Sequence, residues 1–187
     1  MPPDNLFPPV ELVIRSRRTC KSFDGRGVSK AEIARLLELA VMAPNHRLNE
    51  PWRFRVLTQP GIKRWIRNLQ ENIDASSLPM LQTSFDKVST AGCLIFVSCE
   101  RNENEVIDWE NFAATCAGIQ NLLLAATALR MQSYWSTGQI MTRPETFRFI
   151  DLNPQAERFA GTIWLGWGPI PEVRTRTPAT EKTKWIE

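Results

Sequence analysis

At 187 residues the chain fits one domain, since domains cluster around ~100–150 residues. Hydrophobic residues make up 43% and charged residues 23%, a balance that supports a sizeable core and excludes disorder over most of the length. The net charge of +3 is too small for an ordinary nucleic-acid binder, yet it is uneven: Arg15, Arg17, Arg18, Lys21 and Arg26 crowd together with Asp24 as the one acid among them.

In chain order, Leu12 to Arg18 reads as the end of a first helix entered through Pro8 and Pro9. A turn follows at Phe23-Asp24-Gly25-Arg26-Gly27. Ser29 and Glu32 form a capping box, after which Ile33, Leu36, Leu37, Ala40 and Val41 recur at helical spacing. Pro44 stops that helix. Trp52, Phe54 and Val56 alternate with Arg53 and Arg55, the pattern of a half-buried strand. Gly61 to about Asn72 reads as a helix with Ile62, Trp65, Ile66 and Leu69 inward. The stretch 73–90 gives no clear period.

Cys93 to Cys99 is a continuous β-prone run, expected as a buried central strand. Trp109 to about Met131 is the longest helix, apolar on more than one face and therefore expected to be buried all round, with a subunit interface as its natural place. Gln132 to Thr137 is a short strand, Thr142 with Pro144 and Glu145 opens another helix, and Arg158 to Trp167 is a last strand. The tail 168–187 is rich in Pro, Thr and charge but carries Trp185 and Ile186, which suits an arm laid over a partner. The alternation of strands and helices points to an α/β or α+β sandwich.

The chemistry-bearing residues are sparse. His46 is the sole histidine, and Cys20, Cys93, Cys99 and Cys116 form no CxxC pair, so no metal site is expected. Reduced thiols, a start (Met1-Pro2-Pro3-Asp4-Asn5) unlike a signal peptide and apolar runs well short of ~20 residues point to the cytoplasm with no membrane span. Gly166-Trp167-Gly168 lacks the third glycine of a dinucleotide fingerprint. Three segments stand out instead. Arg17-Arg18-Thr19-Cys20-Lys21-Ser22-Phe23 offers guanidinium forks and hydroxyls suited to phosphate, or simply a solvated helix end. Ala43 to Trp52 is a polar loop bracketed by prolines. Gly166 to Pro171, followed by Arg174 and Arg176, is a turn with a basic arm.

In this order and at these distances the three segments resemble the nitroreductase family. Arg17 to Phe23 resembles its opening RRSxRxF motif. Ala43-Pro44 through Pro51-Trp52-Arg53-Phe54 resembles its AP-S-x-x-N-x-QPW-x-F loop. Asn111 to Gly138 resembles its buried helix and Trp-x-x-Gly strand, and Trp164 to Pro169 its closing strand and turn. The likeness covers nearly the whole chain and is strongest to the short NAD(P)H nitroreductases.

The resemblance implies an α+β, three-layer α/β/α sandwich with a central, mainly antiparallel sheet, spanning 1–187 as one domain. It also implies an intertwined homodimer, with an arm from about 169 to 187 extending over the partner. FMN would lie at the interface, and NADH or NADPH would supply electrons. By ping-pong hydride transfer, nitroaromatics, quinones or similar small electron acceptors would be reduced. Matching positions give Arg17, Arg18 and Thr19 to the FMN phosphate and ribityl chain, and Lys21 to N1 and O2, where it would stabilise charge. His46 and Leu48 fall on the flavin-contacting loop, Trp135, Ser136 and Thr137 at the ring edge, and Arg174 or Arg176 at the phosphate. Leu48 stands where many members have Asn, and Glu50 where they have Gln, which bears on the substrate pocket. Rival readings are another flavin enzyme of the same fold, such as a dehalogenase or dehydrogenase, a protein that sequesters FMN without turnover, and a polyanion-binding module.

Overall fold

The computed structural model describes residues 7–172 and 174–187. Its centre is a sheet of β1 (Trp52–Thr58), β2 (Cys93–Glu100), β3 (Gln132–Ser136) and β4 (Glu157–Gly166), in the order β1-β2-β4-β3. Every ladder is antiparallel. The β-prone run therefore lies inside the sheet as β2, buried from Cys93 to Cys99. Alternation sends Leu94, Phe96 and Trp164 to one face and Cys93, Ile95, Val97, Ile163 and Leu165 to the other.

Helices cover both faces. On the first lie α3 (Gln59–Asn72), α4 (Leu78–Ser89) and α6 (Pro144–Phe149), burying Ile62, Trp65, Leu69, Leu81, Phe85 and Val88. On the second lie α2 (Lys30–Ala40) and α5 (Glu105–Ala128), burying Ile33, Leu36, Ile119, Leu122 and Leu123. The result is a three-layer α/β/α sandwich. The Ser29–Glu32 capping box is present in both directions and fixes the start of α2. That helix ends at Ala40, ahead of Pro44. The undecided stretch 73–90 contains α4, with Pro79 in its first turn.

Two sequence expectations need correction. Helix α5 is not buried all round within one chain: Val106 and Trp109 are 67% and 65% exposed. The first helix, α1 (Phe7–Ser16), is entered through Pro8 and Pro9 as expected but ends at Ser16 rather than Arg18, and none of its residues is fully buried. Arg17 and Arg18 thus fall just beyond it, with the Arg17 N–H still donating to the Val13 carbonyl at 3.0 Å to close the last turn. Among the described residues no helix is long and apolar enough to cross a membrane.

Candidate functional site

The chain beyond α1 is held to the sheet by a single bridge. Thr19 pairs with Ser133 at the start of edge strand β3, and the Cys20 N–H donates to the Ser133 carbonyl at 2.9 Å. This lays residues 17–22 along the sheet edge. The segment after β4 then crosses beside them, with the Asp24 N–H donating to the Trp167 carbonyl at 2.8 Å. Between the two segments opens a cleft of about 1270 Å³, whose lining includes Arg17, Arg18, Thr19, Lys21, Arg174 and Arg176. Six of the residues singled out from sequence are thus brought together from opposite ends of the chain.

The charge in this cleft is unbalanced. Among the described residues, Arg17, Lys21, Arg174 and Arg176 have no carboxylate within 4.0 Å. Burial, then the Arg176 and Arg18 guanidinia, hold the pKa of Arg17 below its ordinary value. Like charges set together beside a cleft are costly until an anion arrives. Arg18 serves the backbone instead: its guanidinium donates to the carbonyls of Arg15 and Arg17, capping the end of α1. The Lys21 Nζ lies 5.1 Å from the centroid of the Tyr134 ring, which stands edge-on to Trp164 with centroids 5.4 Å apart. Tyr134 was not singled out from sequence. Strand alternation was the available signal for Tyr134, because residues on either side of Trp135 must face the opposite way.

The remaining candidates lie outside this cleft. Trp135 packs with the α2–α5 layer, its indole N–H donating to the Ala160 carbonyl at 3.0 Å. Gly161, at φ +141°, makes room for that ring, since a Cβ there would collide with it. Ser136 is buried and its hydroxyl accepts from the Gly138 N–H, while Thr137 is exposed beside it. His46 and Leu48 sit on a short turn against α5. The His46 Nδ1 is 3.8 Å from a Glu110 carboxylate oxygen, and Leu48 is 79% exposed. Arg47, Leu48 and Glu50 all have φ near +50°, a costly conformation for side-chain-bearing residues. Asn45 accepts from the Glu50 N–H, and Asn49 donates to Asn111 at 2.5 Å, so the turn is held in shape.

Residues 14–167 match the family described as Nitroreductase. The chain belongs to that family. It is 34% identical over 176 residues to YfhC of Bacillus subtilis (strain 168), an NAD(P)H nitroreductase candidate, covering 91% of this chain and 90% of that one. Among solved structures, a nitroreductase-like family protein from Bacillus cereus superposes with a TM-score of 0.87 at 28% identity, covering 95% of this chain and 96% of that one. A nitroreductase candidate from Desulfovibrio desulfuricans, solved in complex with FMN, superposes with a TM-score of 0.75 at 26% identity, covering 96% and 97%. The nitroreductase fold is therefore shared over nearly the full length.

Proposed function

We propose that this nitroreductase-family chain is an FMN-dependent oxidoreductase that takes electrons from NADH or NADPH and reduces small electron-poor organic molecules. The observation that carries the reading is the pair Arg17 and Arg176 beside one cleft, where Glu172 is the one acid among the described lining residues and pairs with neither of them within 4.0 Å. A flavin phosphate fits that need. It is dianionic, guanidinium forks match its oxygens, and the Thr19 hydroxyl adds a neutral donor.

In this reading Arg17, Thr19 and Arg176 hold the phosphate, Arg174 adds charge at the mouth, and Arg18 fixes the backbone on which they stand. FMN held there would supply two-electron redox chemistry between a nicotinamide and a nitroaromatic, quinone or enone. Lys21, in the same cleft, would offer a positive charge to the ring system of the cofactor, where exclusion of water would strengthen the attraction. Tyr134 holds the Lys21 ammonium over its ring face, so that the charge is positioned without being neutralised.

The reading also calls for a second copy of the chain. Val10, Leu12 and Ile14 on α1, Val106 and Trp109 on α5, and Trp185 and Ile186 in the arm are each more than half exposed. Such an apolar surface suits a homodimer, with the arm 169–187 lying across the partner. His46, Leu48, Trp135, Ser136 and Thr137, outside the cleft of their own chain, would meet flavin only across that interface. All four cysteines are free and three are buried, in keeping with a reducing cytoplasm.

The test is anaerobic mixing of the FMN-loaded protein with NADH and with NADPH, followed by a panel of acceptors. Bleaching of the flavin absorbance by a nicotinamide and its return with an acceptor is the expected result. A protein that stays yellow under both nicotinamides is a flavin carrier rather than an enzyme. Lys21→Ala should slow bleaching more than it weakens FMN binding, whereas Arg17→Ala should release FMN.

A further inference from the structure

The cleft depends on a crossing that has no part in electron transfer. As the chain leaves β4, Trp167 accepts from the Asp24 N–H, and its ring lies 5.1 Å from the Arg26 guanidinium. Gly168 then passes directly over residues 22 and 23. A Cβ added there would drive far inside contact with the Ser22 carbonyl oxygen and sit 3.3 Å from the Phe23 Cα, both of them backbone atoms. Next, Pro169 offers its carbonyl to the Cys20 thiol at 3.6 Å, and the same S–H also faces the Ser22 carbonyl at 3.0 Å. Cys20 is only 3% exposed, so although it lies in the wall of the cleft it is largely enclosed by the crossing.

Beyond the crossing the arm is weakly held. Among the described residues, no hydrogen bond or ion pair ties 170–177 to the rest of the chain. Yet this stretch delivers Arg174 and Arg176 to the cleft, and Arg176 comes close enough to Arg17 to disfavour its charge. Like-charged guanidinia repel, so the arm is not drawn to Arg17 in the absence of an anion.

We infer that Gly168 and Cys20 form a latch, positioning residues that pin the start of the C-terminal arm across residues 20–23 and thereby set Arg176 beside Arg17. The inference rests on the reading of the cleft as the FMN phosphate site, and the latch acts through Arg176. Only glycine allows the two backbones to meet this closely. The thiol adds a small, adaptable donor where a bulkier group would part them.

FMN and riboflavin, which lacks the phosphate, separate this role from general support of the fold. Both are titrated by fluorescence into the apoprotein of the wild type, Gly168→Ala, Arg176→Ala, the Gly168→Ala/Arg176→Ala double variant, Cys20→Ala and Arg17→Ala. Gly168→Ala and Arg176→Ala should each raise the FMN dissociation constant about tenfold, the double variant no more than either alone, and riboflavin should bind all of them within about twofold of wild type. Cys20→Ala should weaken FMN about threefold and spare riboflavin, and it decides the matter if Gly168→Ala does not fold. The latch is overturned if Gly168→Ala or Cys20→Ala weakens riboflavin as much as FMN, or if the two tenfold effects multiply. It also falls alone if Arg17→Ala and Arg176→Ala weaken FMN but Gly168→Ala and Cys20→Ala do not. If Arg17→Ala and Arg176→Ala leave FMN affinity intact, the phosphate reading itself is lost and the latch with it.

Discussion

The two ends of the sheet use arginine in opposite ways. At the end where β2 finishes and β4 begins, three arginines each meet a carboxylate, while Arg101 donates to the Pro154 carbonyl at 3.1 Å. Arg55 makes a forked pair with Glu157 at 2.8 and 2.7 Å, Arg53 meets Glu100, and Arg158 meets Asp108 at 2.5 Å. Ser98 donates to Glu157 as well, and Arg55 also donates to the Asp151 carbonyl at 2.8 Å. At the other end, beside Ser133, the cations Arg17, Lys21, Arg174 and Arg176 face a cleft that Glu172 also lines, yet among the described residues none of them has a carboxylate within 4.0 Å. The same side chain closes a structure at one end and leaves a site open at the other. Residue type alone does not tell these uses apart; the presence or absence of a partner does.

That contrast can be broken most severely at the paired end. Arg55→Leu leaves Glu157 largely buried without its fork, and should cost roughly 3 kcal/mol in urea unfolding while FMN affinity stays within about twofold of wild type. Next comes the open end. Arg17→Ala should raise the FMN dissociation constant by about 30-fold, near 2 kcal/mol, with apoprotein stability hardly changed. If Arg17→Ala destabilised the apoprotein as Arg55→Leu does, the distinction between the ends would collapse.

Acid sharpens the comparison further. Burial alone would raise the Glu157 pKa, but hydrogen bonds from Arg55 and Ser98, with the Arg55 charge, outweigh it and bring the value below the ordinary glutamate range. A carboxylate depressed in the folded state stabilises fully above its unfolded pKa. That contribution is lost as pH falls through the lowered folded value. Thermal melts should therefore show an acid loss of stability that Glu157→Gln makes shallower. The smallest effect is a gain. Arg176→Ala removes a like charge from Arg17, and the FMN-free protein should become more stable by a few tenths of a kcal/mol, seen as a slightly higher midpoint in low salt.

Much of the architecture could be read from local pattern. The Ser29–Glu32 box announced α2, and the unbroken run at Cys93 to Cys99 announced a strand covered on both faces, because a strand inside a three-layer sandwich has no solvent side. Helix α4 carried a usable signal, since Leu81, Phe85 and Val88 recur at i, i+4 and i+7 with polar residues between them, but three apolar positions in a stretch opened by Ser76, Ser77 and Pro79 make a short pattern. The same locality explains the cleft. The composition of residues 17–21 and 174–176 revealed cationic segments, but their meeting depends on Gly168 fitting against Ser22, a contact between residues far apart in sequence. Tyr134 was hidden for a related reason, as its importance comes from Lys21 above it and Trp164 beside it.

Helix α1 buries nothing of its own, although Val10, Leu12 and Ile14 line it with hydrocarbon. A ten-residue helix is marginal in water unless something packs against it. In the proposed homodimer its order would be governed by mass action: on dilution α1 should fray first, and with it the residues that lead into Arg17. Cofactor retention would accordingly decline in dilute samples before the sheet itself begins to melt.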